Sequence, residues 1–200
     1  MKTPRAALAL SMLLLAGLSM GLAPQDAPAT SQSTYKIDAV HSTALFRVRH
    51  LGAGPFWGRF NDISGTFAHG EGAMPSFEVE IATESVDTNN DSLNGHLMSP
   101  DFFNAKEFPT MTFKSKSAKK TGADTYDVTG EITIRGTTKE ITAKLECIGE
   151  NDAGTRFGYR CGFEAQFTIK RSDFKVSYGV DNGLLGDETR IIVALEGVRQ

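Results

Sequence analysis

From residue 43 onward, apolar and polar side chains alternate with a period of two. Ala44, Phe46 and Val48 alternate with Leu45, Arg47 and Arg49, and Phe77, Val79 and Ile81 with Ser76, Glu78 and Glu80. The same pattern returns at Val128–Ile134, Ile141–Glu146, Phe163–Ile169 and Arg190–Leu195. Shorter stretches fit it at Gly58–Phe67 and Thr110–Ala118. Side chains two apart in an extended chain share a face, so each stretch predicts a strand with one apolar and one mostly polar side. Turn signals separate them at Lys120-Thr121-Gly122-Ala123-Asp124, Arg135-Gly136-Thr137 and Asn151-Asp152-Ala153-Gly154. The reading is all-β, with about eight antiparallel strands. One segment breaks the period: Leu93, Leu97 and Met98 sit at helical spacing within 91–104, ahead of a Ser99-Pro100-Asp101 break, and predict one or two short helical turns. Strands patterned this way must hide their apolar faces, either as a sandwich or by closing into a barrel. Periodicity alone leaves both open.

The apolar face is unusually rich in phenylalanine: thirteen Phe against one Trp and four Tyr. Phenylalanine has no polar handle, so this count points to a large dry interior. A formal charge of −3 gives no electrostatic reason to bind nucleic acid or an anionic membrane surface.

The start of the chain departs from the pattern. Lys2 and Arg5 precede an uncharged run from Ala6 to Ala23, and Ala27-Pro28-Ala29 supplies a small-x-small cleavage pattern. That order predicts a signal peptide over residues 1–29, leaving a mature domain over 30–200. Its apolar run could just span a bilayer, which keeps an uncleaved anchor as the alternative. No later apolar run is long enough to cross, so the expected location is the periplasm or outside the cell.

Motifs for catalysis and metal binding are thin. There is no G-x-S-x-G, and His41 and Ser42 are neighbours that point to opposite faces of a strand. Asp87-Thr88-Asn89-Asn90-Asp91 begins like a calcium loop, but Ser92 and Met98 occupy the positions that need Gly and Glu. The histidines, His41, His50, His69 and His96, have no metal-ligand spacing and read as surface or strand-end residues. Gly52-Ala53-Gly54-Pro55-Phe56-Trp57-Gly58 lacks the Lys-Ser/Thr of a phosphate loop. It reads as a hairpin connection or as a gate carrying Phe56 and Trp57. No catalytic residue, metal or covalent cofactor is expected. Cys147 and Cys161 are the only cysteines. A hairpin folded near Gly154 in the register that buries Leu145 opposite Phe163 also sets Cys147 opposite Cys161. That register predicts a disulfide in an oxidising compartment, against two buried free thiols.

Taken in order, Tyr35-Lys36-Ile37-Asp38, Phe46-Arg47-Val48-Arg49-His50-Leu51-Gly52, Ser64-Gly65-Thr66-Phe67, Ser85-Val86-Asp87-Thr88-Asn89, Asp101-Phe102-Phe103-Asn104, Gly130-Glu131-Ile132-Thr133-Ile134-Arg135-Gly136-Thr137-Thr138-Lys139 and Arg171-Ser172-Asp173-Phe174 resemble the YceI-like family of secreted, lipocalin-like proteins. The resemblance runs from about Tyr35 to Gln200. It implies an extended eight-stranded antiparallel barrel whose apolar pore holds a long isoprenoid or similar lipid, with no enzymatic activity. The inward positions are then pore lining: Phe46, Val48, Phe60, Phe67, Val79, Ile81, Phe102, Phe103, Phe113, Ile132, Leu145, Phe163, Phe167, Ile191 and Val193. His50 and His96 fall at family positions, giving a second reading as a quinone-linked redox partner or enzyme. A structural β-module for protein partners is a third, and a homodimer is left open. Where many members carry Arg-Asp, this chain has Leu93-Asn94.

Overall fold

The computed structural model describes Met1 and residues 31–200, so the expected leader lies, but for Met1, outside the described residues. Eleven strand segments follow: β1 Ser33–Ile37, β2 Thr43–His50, β3 Gly54–Phe60, β4 Ile63–His69, β5 Ser76–Ala82, β6 Val86–Asp87, β7 Thr110–Lys120, β8 Thr125–Ile134, β9 Thr137–Asp152, β10 Tyr159–Lys170 and β11 Glu188–Arg199. Two short helices join them, α1 Asp91–Met98 and α2 Gly154–Phe157. The segments make eight strands. β11 pairs with β2 through Arg190–Ala194 and with β1 through Gly197–Arg199, so β1 and β2 are one long strand interrupted at 38–42. Likewise β3 and β4 break at Asn61-Asp62, and β5 and β6 at the 3₁₀ turn Thr83–Ser85. The β1–β11 pairing closes the sheet into an antiparallel barrel, and the sandwich alternative falls.

The first interruption is fixed by a polar cluster. Asp38 N donates to Glu196 O at 2.8 Å, and Glu196 N donates to Ser42 Oγ at 3.0 Å. Arg160 Nη1 lies 2.6 Å from Asp38 Oδ2 and 2.7 Å from Glu196 Oε1, while His41 Nδ1 is 3.0 Å from Asp38 Oδ2. Hydrogen bonds from His41 and then Arg160 hold the Asp38 carboxyl down to about 2. A carboxyl depressed on folding contributes stability above its unfolded value, near ~3.9, and loses it as pH falls through the folded value. Urea melts of the wild type should therefore weaken between about pH 4 and about pH 2, and Asp38→Asn should lose less over that window. Equal acid sensitivity of the two proteins would count against this account.

Inside the barrel, rings fit because glycines face them. A Cβ on Gly58, directly across from Phe46, would stand 2.2 Å from Phe46 Cζ. One on Gly197 would stand 2.5 Å from Phe67 Cε1 and 2.9 Å from Tyr35 Cβ. At one end Tyr35, Phe67, Phe77 and Phe163 form a buried aromatic cluster. Phe163 meets Phe67 and Phe77 edge-on, each at 5.3 Å between centroids, and Tyr35 stacks on Phe67 at 5.0 Å.

The β9–β10 hairpin corrects the predicted register. Leu145 pairs with Ala165, Cys147 with Phe163 and Cys161 with Glu150, so the two cysteines are not directly opposed, and both are free thiols. The turn is longer than assumed because α2 is inserted in it. In addition, the ladder shifts between Gly162 and Phe163, leaving Ile148 as an extra, 64% exposed residue. At the other end of this pair the ladder stops at Gln166–Lys144, although β9 begins at Thr137 and β10 runs on to Lys170.

Candidate functional site

On one side of the aromatic cluster the barrel encloses an apolar cavity of about 770 Å³. Cavities of a few hundred to a thousand Å³ are the usual size of small-molecule sites, and an apolar one of far smaller volume stays dry. Its walls come from the inward faces of the strands. Phe46, Val48, Phe60, Val79, Ile81, Phe113, Ile132, Leu145, Phe167, Ile191 and Val193 line it from the strands, and Phe102 and Phe103 line it from the turn after α1. Phe67 and Phe163 do not. They point inward too, but at the level of the aromatic cluster, where neighbouring rings fill the lumen and close the cavity's inner end. What leaves the space open is a set of small inward residues: Ala44, Ala143 and Ala165. Large side chains at those positions would meet the facing rings across a narrow barrel.

The other end is a mouth. His50 at the end of β2, Leu51 and Ala53 in the β2–β3 connection and Pro55 at the start of β3 line the cavity while remaining exposed, as does Tyr178. Leu93, His96 and Leu97 of α1 form a second side of the rim. Asn90 caps α1, its side chain accepting from Leu93 N at 2.9 Å. The Asx-rich segment thus ends in a helix cap rather than a calcium loop. His96 packs edge-on against Phe102 and Tyr178 at 4.9 and 5.2 Å, with its Nε2 3.2 Å from Asp101 Oδ2.

The third side was not visible in the sequence as lining. It is the irregular chain from the 3₁₀ turn Arg171–Phe174 to Gly186, which contributes Phe174, Val176, Leu184 and Leu185. Arg171 organises it. Its guanidinium, only 7% exposed, donates to the carbonyls of Gly186 (2.8 Å), Val176 (2.9 Å), Tyr178 (2.8 Å) and Leu185 (3.3 Å). Burial lowers its pKa, with Asp187 opposing. Asp187 in turn accepts from Ser172 N and Oγ at 2.9 and 2.8 Å. The segment is tied to β2 by Leu51 N donating to Leu184 O and Gly186 N donating to Arg49 O, both at 2.8 Å. Polar groups on the wall gather at this end: Arg171, His50, His96 and Thr189, whose buried Oγ1 has no hydrogen-bond partner. Among the described residues no Asp, Glu, Ser or Cys side chain lines the cavity.

Residues 35–197 match the YceI-like domain. The chain belongs to the YceI-like family. A UPF0312 protein of Pseudomonas aeruginosa is 40% identical over 190 residues, covering 93% of this chain and 97% of that protein. Among solved structures, BcnA of Burkholderia cenocepacia superposes with a TM-score of 0.72 at 26% identity, over 80% of this chain and 98% of its own. A polyisoprenoid binding domain from Saccharophagus degradans aligns with a TM-score of 0.65 over 83% and 98% of the two chains. At 17% identity that likeness is one of fold. Within the YceI-like frame the Leu93-Asn94 pair has a clear effect. Leu93 adds an apolar side chain to the rim, and Asn94 Oδ1 accepts from Thr88 N and Oγ1 at 2.8 and 2.7 Å, anchoring α1.

Proposed function

We propose that this YceI-like protein is exported and carries one long apolar chain, an isoprenoid or similar amphiphilic lipid, in the barrel pore. The observation that supports this most directly is the apolar cavity of about 770 Å³, closed by rings at one end and open at the other. The driving force is removal of the ligand's hydrocarbon from water. At roughly 0.8 kcal/mol per buried CH₂, twenty carbons give about 15 kcal/mol before ordering costs. A carrier needs no reaction chemistry, which suits a wall without carboxylate or thiol. The polar head belongs at the mouth, where Arg171, Thr189, His50 and His96 offer it hydrogen bonds. The printed description of the Saccharophagus degradans domain, polyisoprenoid binding, is in keeping with such a ligand. No helix among the described residues is long and apolar enough to cross a membrane. Delivery through a cleaved leader of residues 1–29 is part of the proposal.

Native mass spectrometry of the protein taken from its own envelope, followed by organic extraction, should release one long-chain species per chain. Ala165→Trp, at the inward position next to Phe163 on β10, would fill the inner part of the cavity; with folding checked by circular dichroism, it is expected to retain less than about a tenth of the wild-type ligand. Undiminished ligand in that variant, or a wild type that purifies empty from native envelopes, would argue against a pore site.

A further inference from the structure

At the closed end, beyond the aromatic cluster, three residues from opposite walls converge. His69 is the last residue of β4, Cys147 lies on β9 and Cys161 on β10. Around the barrel the order is β1, β4, β5, β7, β8, β9, β10, β11, so β4 and β9 face each other across the lumen. A ring nitrogen of His69 and the two sulfurs nonetheless lie within 4.8 Å of one another. The geometry points to a site for one thiophilic d¹⁰ cation, zinc(II) or copper(I), held by His69, Cys147 and Cys161.

Two thiolates and an imidazole are a ligand set for such ions, and three protein ligands leave a fourth position for water or a carboxylate. Glu150 stands next to that position, with Oε1 2.9 Å from His69 Nε2 and Oε2 accepting from Tyr159 OH at 2.8 Å. The β9 bulge builds this arrangement. In an unbroken strand residues three apart point to opposite faces, but the extra Ile148 turns Cys147 and Glu150 to the same side. His69 turns Nε2 toward the cluster, 4.0 Å from Cys147 Sγ, and its ring is held edge-on by Phe163 at 5.2 Å. Metal binding takes the thiolate form, so an incoming cation would displace the thiol protons of Cys147 and Cys161. None of these groups lines the lipid cavity, so the site is independent of the proposed carrier function.

Cobalt(II) serves as the spectroscopic probe and zinc(II) as the competitor, added to the reduced full chain without air. One equivalent of cobalt should give a thiolate-to-cobalt charge-transfer band and the intense visible bands of a tetrahedral ion, and zinc should erase both. Zinc should also raise the melting temperature, because an ion bridging β4 to β9 and β10 binds only the folded barrel. His69→Ala and Cys147→Ser, checked for folding by circular dichroism, should each weaken zinc binding by more than roughly a hundredfold, beyond the 10–100-fold of an outer-shell change. Absence of a thiolate–cobalt band in the folded wild type would overturn the proposal without reliance on any variant. So would a Cys147–Cys161 disulfide found in protein alkylated directly in its native compartment.

Discussion

Truncation of Phe163 to alanine is expected to destabilise the barrel by about 3–5 kcal/mol, the cost of removing a phenyl ring from a filled core. Phe163 is 1% exposed and touches Phe67, Phe77 and His69 edge-on, so no neighbour can follow the vacated volume without losing a partner of its own. The same change at Phe167 or Phe46, which border the existing cavity, should cost only about 1–2 kcal/mol, because the lost ring enlarges a space that is already there. Urea unfolding of the three variants gives the comparison. Equal losses would mean that the aromatic cluster is no better packed than the pore wall.

The second large effect is at Arg171. Replacement by methionine keeps the apolar stem and removes the guanidinium, leaving the carbonyls of Val176, Tyr178, Leu185 and Gly186 without that donor. Hydrogen bonds to a charged group are worth about 1.5–3 kcal/mol each, but the freed carbonyls can turn to water as the segment loosens. The expected global loss is therefore about 2–3 kcal/mol, with the larger change local. Amide exchange over 174–186 should accelerate far more than exchange in β8 or β10, and bound lipid should leave faster. Lysine should rescue little, since a compact ammonium cannot address carbonyls arrayed around a planar fork. Unchanged exchange in the segment would show that the ties to β2 suffice to hold the mouth.

What could be read in the chain followed from the period of two. Every strand whose inward residues were named from alternation presents those residues inward, and the resemblance resolved sandwich against barrel correctly. Position along the barrel axis was not readable. Phe67 and Phe163 share their facing with Phe46 and Phe167, yet lie at the packed end because of where Tyr35 and Gly197 fall, which depends on closure through β1 and β11. The hairpin register was lost for a different reason. A bulge obeys no sequence period, and the extra Ile148 looks like any other apolar strand residue. The mouth segment was missed because it is irregular: its shape depends on carbonyls that converge on a distant guanidinium. His69 was read as a strand-end residue, and so it is; its neighbours across the lumen appear only once the sheet closes.

The parting of β9 from β10 beyond Lys144 and Gln166 has a further consequence. A closed barrel normally has no free edge, yet here the peptide groups of Thr137–Ala143 face none on β10, which makes a short seam in the wall. Widening the seam breaks no ladder bond, but the chain after β10 lies against β9 and is tied to the β8–β9 turn by Arg135 Nη1 donating to Lys175 O. The exposed charges of Lys139, Glu140 and Lys170 beside it discourage a strand of another molecule from adding to the open edge. The open edge therefore persists without becoming a template for aggregation.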